Sequence, residues 1–360
     1  MRNIDMNSVY KDRRQWLIYW LICLSVIVHA NCSLATETLD KPVAIIIHGG
    51  AGTINPKSMS ADTEKEYRIA LNKAVTAGHN ILLAGGSSIE AIIAAISLLE
   101  DSPLFNAGHG AVFNHQGDIE LDASIMDGHN LNAGAVASVR HIKNPIKLAN
   151  SVMQASPHVM LAGPGAEQFA QQQGFELVAN DYFKTERRSL QLQRIIEQEK
   201  STTKLLPSSH PVLVKYQFDE KKLGTVGAVA IDTRGNISAG TSTGGMTNKR
   251  YGRIGDSPII GAGTYADNNS CGISATGHGE YFIRAVVAHD ICARMAYTGI
   301  SLQAAQDQII QDKLVQMNAS GGVIGIDKDA NVAFSFNTTG MYRASIDKQG
   351  KTLVKIFKND

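Results

Sequence analysis

The pattern of apolar and polar residues along the chain predicts strands alternating with helices. Residues 43–47 (VAIII) form a β-branched run that ends at the glycine-rich sequence HGGAG, which is typical of a buried strand closed by a turn. Apolar residues at helical spacing predict helices over 61–84 and 87–99, with Ser87 or Ser88 as the N-cap of the second. The same reasoning predicts strands over 111–113, 119–126 and 133–139 and helices near 145–154 and 165–173.

Residues 180–222 interrupt this pattern with a polar, charged stretch that we expect to be a mobile linker. The apolar run 224–231 follows immediately, and Gly235-Asn236 then leads into residues 237–240, which is typical of a β-hairpin. Further apolar patterns predict helices over 281–297 and 302–315 and strands over 322–326 and 332–336. This order indicates a layered α/β fold with strands packed face to face between helices.

The N-terminal segment has the pattern of a secretory signal. Residues 16–28 are an apolar run that follows several basic residues, and small residues suited to cleavage occur at Ala30 and Ala35. The run is shorter than the ~20 residues that a spanning helix needs. We expect residues 1–35 to be removed on export to a bacterial periplasm, with an uncleaved anchor as the alternative.

Composition and charge exclude several classes of function. The 360 residues are 44% hydrophobic and 19% charged, with a net charge of +1, so disorder is excluded and a nucleic-acid partner is not expected. Histidines are scattered without a metal-binding spacing. Outside the leader the cysteines are Cys271 and Cys292, which do not make a disulfide framework or a zinc motif, and we predict that Cys292 is a buried small hydrophobic residue.

Thr225 is the strongest candidate for a catalytic residue. It follows a predicted linker and begins a predicted strand, so cleavage between Gly224 and Thr225 would place a free α-amine beside its hydroxyl. An N-terminal amine is one of the few local bases that activate a threonine hydroxyl. Gly224 tolerates the strained backbone that attack on the preceding carbonyl requires.

Six motifs along the chain together resemble one family. They are HGGAG at 48–52, PLFNAGHG at 103–110, GTVGAVA at 224–230, TSTGGMTNK at 241–249, GRIGDSP at 252–258 and TGHGE at 276–280. In this order they resemble the plant-type asparaginase/isoaspartyl peptidase family of N-terminal-nucleophile hydrolases. The resemblance covers about residues 43–343 and weakens in the predicted linker.

The resemblance implies an autocleaving threonine amidohydrolase that hydrolyses β-aspartyl dipeptides and L-asparagine and releases L-aspartate. Thr225 would be both the agent of autocleavage after Gly224 and the catalytic nucleophile, and Thr243 would position its hydroxyl. Thr276 and Gly277 would form the oxyanion hole. Asn106 would support the threonine network.

The resemblance also implies a clamp for the substrate's two α-groups. Arg253 would bind the α-carboxylate through its planar fork, and Asp256 would bind the α-ammonium. His278 varies the family pattern and would modify specificity near the leaving group. The implied substrate-binding set is Arg253, Ile254, Gly255, Asp256, Thr276, Gly277, His278 and Gly279.

No organic cofactor is expected, but a structural Na⁺ ion is implied. Residues 99–109 resemble the family's sodium-binding loop, in which backbone carbonyls are the ligands. The residues that would provide these ligands are Leu99, Glu100, Ser102, Phe105, Ala107 and His109.

For the fold, the resemblance implies a four-layer αββα sandwich that is processed into two subunits. Residues 36–224, including the predicted linker at 180–222, would form the α subunit, and residues 225–360 would form the β subunit. Together they would make one N-terminal-nucleophile hydrolase domain. We expect an (αβ)₂ heterotetramer, with no nucleic-acid partner and no stable membrane anchor after processing.

Two other functions remain as alternatives. A glycosylasparaginase would cleave the sugar–asparagine link, but that branch usually cuts between aspartate and threonine, whereas Gly224 precedes Thr225 here. A periplasmic amino-acid-binding protein would use Arg253 and Asp256 as its clamp and would remain a single chain. An inactive homologue is disfavoured because all three implied threonines are present.

Overall fold

Two β-sheets contain all the strands that the computed structural model shows within the described residues, 41–204 and 224–360. The first has eight strands in the order β12-β11-β1-β5-β6-β2-β3-β4, and the second has four in the order β10-β9-β8-β7. In chain order the strands are β1 Ala44–Gly52, β2 Leu121–Asp127, β3 Ala133–Val139, β4 Met160–Ala162, β5 Val226–Ile231, β6 Ile237–Thr243, β7 Thr264–Ala266, β8 Cys271–Gly277, β9 Gly321–Asp327, β10 Val332–Phe336, β11 Gly340–Ile346 and β12 Thr352–Phe357. The predicted strand at 111–113 is wrong, since this part of the chain forms only a single bridge between Phe113 and Ile119.

The helices fall into two groups along the chain. Those before Gly224 are α1 Ala61–Leu83, α2 Ser88–Glu100, α3 Pro145–Ala155, α4 Gly163–Gln172 and α5 Glu186–Lys204, and those after it are α6 Gly279–Ala285, α7 Val287–Thr298, α8 Leu302–Asp307 and α9 Leu314–Gln316. The predicted cap of α2 is confirmed, because the Ser87 side chain accepts from Glu90 N–H and Glu90 reciprocates.

Three clusters of buried apolar side chains hold these elements together. The first joins α1–α3 to one face of the eight-stranded sheet through residues such as Leu71, Ile92 and Ile125. The second joins α6–α8 to the four-stranded sheet. The third contains side chains of both sheets, among them Ile46 and Ile324. Burial of apolar area in these clusters is the main stabilising contribution to the fold.

The hairpin of β5 and β6 confirms the predicted turn at Gly235-Asn236. Its antiparallel register pairs Val226 with Ser242, which places Thr225 opposite Thr243. Thr225 itself lies immediately before β5 rather than being its first residue. The register therefore brings the predicted nucleophile and its predicted partner together.

The glycine-rich sequence after residues 43–47 does not form the predicted turn. β1 continues through Gly52, and its pairing with β11 shifts between His48 and Gly50. A bulge of this kind bends a strand without ending it. Gly50 and Gly52 therefore lie inside the sheet and pair with β11, whereas the pairing of β1 with β5 ends at His48.

The predicted linker at 180–222 is wrong over its first half. Asn180–Phe183 form a 3₁₀ turn and Glu186–Lys204 form α5. The helix is polar but buries Leu192 and Ile195, so tertiary packing stabilises it. The remainder of the predicted linker, together with the predicted signal at 1–35, lies outside the described residues.

The last two predicted helices are each divided. Val286 has a φ of 50° and separates α6 from α7. A π-helical turn over Gln308–Lys313 separates α8 from α9. Such local departures from α-helix geometry leave the apolar spacing almost unchanged, which is why the sequence pattern predicts one helix in each case.

Cys271 and Cys292 form a disulfide, a pairing that the sequence did not predict. The bond joins β8 to α7, with 5.4 Å between the Cα atoms. Both residues are buried, as predicted for Cys292. Two cysteines 21 positions apart carry no motif, because their pairing depends on how α7 packs on the sheet.

Over the stretches that the structure describes, no helix combines the length and the apolar character that crossing a membrane requires.

Candidate active site

The peptide bond between Gly224 and Thr225 lies in a dense set of hydrogen bonds. Thr225 Oγ1 is 2.7 Å from the carbonyl oxygen of Gly224 and 3.1 Å from Thr243 Oγ1. Thr243 Oγ1 is 3.0 Å from the same carbonyl oxygen and accepts a hydrogen bond of 3.0 Å from Gly245 N–H. Both threonines are buried. The hydroxyl thus lies beside the carbonyl that it would attack.

Asn106 gives the Gly224 carbonyl a fixed donor. Its Nδ2 donates to Gly224 O at 2.8 Å and to Gly245 O at 2.7 Å, while its Oδ1 accepts from Val112 N–H at 2.9 Å. With both ends of the amide engaged, the side chain is held in one orientation. A donor fixed before charge develops is the arrangement that stabilises an oxyanion.

Gly50 allows β1 to approach the same peptide bond closely. Its φ is 110°, and a Cβ atom there would lie 3.2 Å from Gly224 Cα and 3.3 Å from Thr225 N. A side chain at this position would be strained by the backbone conformation and crowded against the Gly224–Thr225 bond. The HGGAG motif therefore shapes this side of the site.

His48 links the Thr225 backbone to a row of buried hydroxyls between the two sheets. Its Nδ1 donates to Thr225 O at 3.1 Å, and its Nε2 lies 3.0 Å from Ser274 Oγ. Burial lowers the pKa of His48 to about 3, so the ring is neutral.

The hydroxyl row consists of Ser274, Thr241, Thr264 and Ser124, with successive oxygen–oxygen distances of 2.7, 2.6 and 2.8 Å. Ser124 then donates to Ser257 O at 2.6 Å, next to Asp256.

Arg253 and Asp256 are brought together, as the motif predicts, but with a third residue. Both Nε and Nη2 of Arg253 donate to the Glu280 carboxylate, at 2.8 and 2.9 Å. A Cβ atom on Gly279 would lie 2.8 Å from Arg253 Nη2 and 2.9 Å from Asp256 Oδ1. Gly279 therefore packs between the two predicted clamp residues, where any side chain would separate them.

Asp256 has a buried carboxylate oxygen with no donor. Its Oδ2 has no hydrogen-bond partner among the described residues. Burial raises the pKa of this carboxyl to about 7, although the positive charge of Arg253 opposes the rise. An unpaired buried acceptor is costly, and an ammonium group would satisfy it.

The remaining predicted substrate residues differ in their surroundings. Thr276 is buried at the end of β8, and its Oγ1 accepts from Ala51 N–H of β1 at 3.3 Å, while Gly277 ends that strand. His278 is buried, with its Nε2 3.5 Å from Glu280 Oε2. The Ile254 side chain is exposed. The structure thus joins His278 to the Arg253–Glu280 pair.

The predicted sodium loop folds tightly after α2. Gly108 and Gly110 approach the carbonyl groups of Glu100, Pro103 and Phe105 so closely that a Cβ atom on either would clash. The Glu100 side chain instead accepts from Ile146 N–H and Ser242 Oγ. The loop thus offers neutral backbone oxygens, and the described residues contain no cluster of side chains suited to a metal ion.

Sequence reasoning missed three groups of polar residues at this site. Glu280 lies inside the TGHGE motif, but the resemblance implies no role for it. The hydroxyl row comes from separate strands of both sheets, so no local spacing indicates it. Arg188 donates from Nε to Gly110 O at 2.8 Å, in the loop after α2. No pattern in the sequence indicates this contact, because Arg188 lies in the predicted linker.

Comparisons with known proteins agree on one family. The family model described as asparaginase matches residues 41–356. Isoaspartyl peptidase of Escherichia coli K12 is 50% identical over 301 residues, covering 83% of this chain and 91% of that protein. Isoaspartyl peptidase/L-asparaginase of Xenopus laevis is 42% identical over 306 residues (85% and 92%), and that of Mus musculus is 40% identical over 314 residues (87% and 90%).

Proposed function

Because this chain belongs to the asparaginase family, we propose that it is an autocleaving threonine amidohydrolase that hydrolyses β-aspartyl dipeptides and L-asparagine, releasing L-aspartate. The observation that carries this proposal is the position of the Thr225 hydroxyl, whose oxygen lies 2.7 Å from the Gly224 carbonyl oxygen. That carbonyl oxygen also accepts a hydrogen bond from Asn106. The names of the similar proteins, isoaspartyl peptidase and isoaspartyl peptidase/L-asparaginase, support the substrate class.

Maturation begins with attack of Thr225 Oγ on the carbonyl carbon of Gly224. Asn106 Nδ2 and the Thr243 hydroxyl stabilise the oxyanion that forms on Gly224 O. The C–N bond breaks, the hydroxyl proton passes to the departing nitrogen, and an ester joins Gly224 to Thr225 Oγ. Water hydrolyses the ester, which leaves a carboxylate on Gly224 and a free α-amine on Thr225.

The mature enzyme repeats this chemistry on its substrate. The Thr225 α-amine takes the hydroxyl proton while Oγ attacks the side-chain carbonyl of the β-aspartyl group. Thr276 and Gly277 form the oxyanion hole for this step. The leaving amine departs with the proton, and water then hydrolyses the aspartyl ester to release L-aspartate and restore Thr225.

Arg253 and Asp256 hold the aspartyl part of the substrate. The ammonium group donates to the unpaired Oδ2 of Asp256, and the α-carboxylate takes donors of Arg253. Glu280 balances the Arg253 charge until substrate arrives, since it accepts from two of its nitrogens. His278 beside Glu280 influences specificity through this pair.

A Na⁺ ion bound by backbone carbonyls of residues 99–109 would stabilise the loop that carries Asn106. The proposed ligands are those implied by the resemblance: Leu99, Glu100, Ser102, Phe105, Ala107 and His109. Close packing of neighbouring carbonyls against Gly108 and Gly110 supports a site of this kind, because hard cations take oxygen ligands. The ion would have no part in the chemical steps.

The layered arrangement, the assembly and the compartment complete the proposal. The three apolar clusters support a four-layer αββα sandwich of the N-terminal-nucleophile type. The mature protein would be an (αβ)₂ heterotetramer in the bacterial periplasm. The Cys271–Cys292 disulfide supports export, since disulfides persist in oxidising compartments.

Kinetics of the purified, processed protein test the function directly. We expect turnover of β-Asp-Leu and of L-asparagine, and little turnover of L-glutamine, because its longer side chain displaces the carbonyl from Thr225 when the α-groups are clamped. Release of L-aspartate is measured with a coupled assay. A processed protein that releases no aspartate from either of the first two substrates contradicts the proposal.

The ionisation of Asp256 predicts a pH dependence. Its carboxyl has a pKa raised to about 7, so the carboxylate that binds the substrate ammonium is lost as the pH falls below 7. We expect kcat/KM for β-Asp-Leu to be about 10-fold lower at pH 6 than on its plateau. The contribution of Asp256 is absent from kcat, because bound ammonium keeps Asp256 ionised. A fall of kcat in this range belongs instead to the Thr225 α-amine, which must be neutral to take the hydroxyl proton. An unchanged kcat/KM down to pH 5 would show that Asp256 does not titrate in this range.

A further inference from the structure

A small cavity lies beside the Gly224–Thr225 bond, with neither Arg253 nor Asp256 among its described lining residues. Its volume is about 140 Å³, and its walls include residues 49–54, Tyr67, Asn106, Arg188, Gly224 and Tyr342. Arg188 is the only charged residue among the described lining residues. The cavity is thus a second compartment of the site, with one cation and mostly neutral walls.

Arg188 has no acidic partner among the residues that the structure describes. Its Nε donates to Gly110 O at 2.8 Å and its Nη1 to Gln191 Oε1 at 3.0 Å, and neither acceptor is charged. Burial and the nearby Arg187 lower its pKa to about 10. Arg253, by contrast, is paired with Glu280. A partly buried cation without a counter-charge is destabilising, and a bound anion relieves that cost.

The proposed chemistry at Thr225 generates carboxylates that the aspartyl clamp does not bind. Autocleavage turns Gly224, which lines the cavity, into a carboxylate. Hydrolysis of a β-aspartyl dipeptide releases a residue that carries its own α-carboxylate. The aspartyl carboxylate is already assigned to Arg253, so these two are the anions left without a partner.

We propose that the cavity beside the Gly224–Thr225 bond receives the leaving group and that Arg188 binds the carboxylate there. The inference rests on the proposed function, because it assumes that Thr225 releases an amine with a carboxylate attached. Its ligand is the α-carboxylate of the released residue or the carboxylate formed at Gly224. In both cases the guanidinium donates to carboxylate oxygens, for which its fork is suited.

The test compares substrates with and without the leaving-group carboxylate. L-asparagine releases ammonia and has no such group, and β-Asp-Leu amide differs from β-Asp-Leu only in lacking the charge. In the wild-type protein, amidation of β-Asp-Leu should lower kcat/KM by about 10- to 100-fold, the usual effect of losing a charged hydrogen bond.

In Arg188→Met, kcat/KM per processed molecule should fall by a similar factor for β-Asp-Leu and should change little for L-asparagine or the amide. Arg188→Lys keeps the charge and should retain part of the preference. Arg194→Met, an exposed arginine on the same helix, is the charge-matched control and should behave as wild type. If Arg188→Met does not process, the wild-type comparison of β-Asp-Leu with its amide tests the proposal instead. Equal kcat/KM for the two substrates would show that Arg188 does not bind the α-carboxylate of the released residue.

Binding of the Gly224 carboxylate by Arg188 is tested by a separate measurement. If Arg188 holds that carboxylate, the processed α chain ends at Gly224 and resists a broad-specificity carboxypeptidase, whereas Arg188→Met is trimmed rapidly, as shown by intact mass. Equal loss of asparagine and dipeptide activity in Arg188→Met, or no change in either substrate preference or trimming, overturns the inference. A wild-type protein that turns over no substrate instead contradicts the proposed function.

Discussion

Thr225→Ala remains a single uncleaved chain and has no measurable amidohydrolase activity. The variant lacks the hydroxyl that attacks Gly224, and without cleavage no α-amine forms at residue 225. Loss of the nucleophile of a hydrolase typically costs about 10⁶-fold in kcat. Intact-mass analysis measures the processing, and release of aspartate from β-Asp-Leu measures the activity.

Thr225→Ser is the matched control for this result, since serine retains the hydroxyl next to the Gly224 carbonyl. We expect it to yield the same two fragments as wild type, more slowly. Appearance of both fragments from Thr225→Ala would show that another residue or a contaminating protease cuts the chain. Thr225 would then lose its assignment as the agent of autocleavage.

Arg253→Ala loses kcat/KM on β-Asp-Leu by about 30- to 4,000-fold, because truncating one partner of a desolvated charged pair costs about 2–5 kcal/mol. The substrate carboxylate loses its donors, and Glu280 and Asp256 are left near each other without the intervening positive charge. Processing should continue, since the Asn106 and Thr243 contacts with Gly224 O do not involve Arg253.

Arg250→Ala provides the comparison for this variant. Arg250 is near Arg253 in sequence but pairs with Glu199 at 3.0 Å, outside the clamp. Its loss should leave kcat/KM close to wild type. Near-normal kinetics of a processed Arg253→Ala protein would remove Arg253 from the substrate site, and failure to process would assign it a role in maturation.

The parts of the fold that the sequence predicts well are those with local patterns. The predicted helix at 61–84 ends one residue beyond α1, and the one at 87–99 is shifted by one residue from α2 at both ends. Apolar spacing marks both helices, and a serine cap marks the second. The β5–β6 hairpin follows from an apolar run and a Gly-Asn turn. Its register then brings Thr225 and Thr243 together, as their motifs imply.

The parts that could not be predicted depend on contacts between distant segments. α5 is too polar to show a helical face, and it is held by Leu192, Ile195 and two arginines that donate to the loop after α2. Glu280 is 27 positions from Arg253, so their pairing has no local signal. The disulfide likewise depends on the packing of α7.

The strand order of the eight-stranded sheet has a consequence for the protein if it is cleaved, as proposed, between Gly224 and Thr225. β1 lies between β5 and β11, and β2 pairs with β6, so strands from before and after this bond are interleaved within one sheet. The two fragments therefore complete each other's hydrogen-bonded ladders and do not separate while the sheet persists. The precursor folds as one molecule, whereas the cleaved form refolds only by the meeting of two chains. Its stability consequently depends on concentration, and cleavage converts a unimolecular equilibrium into one governed by mass action.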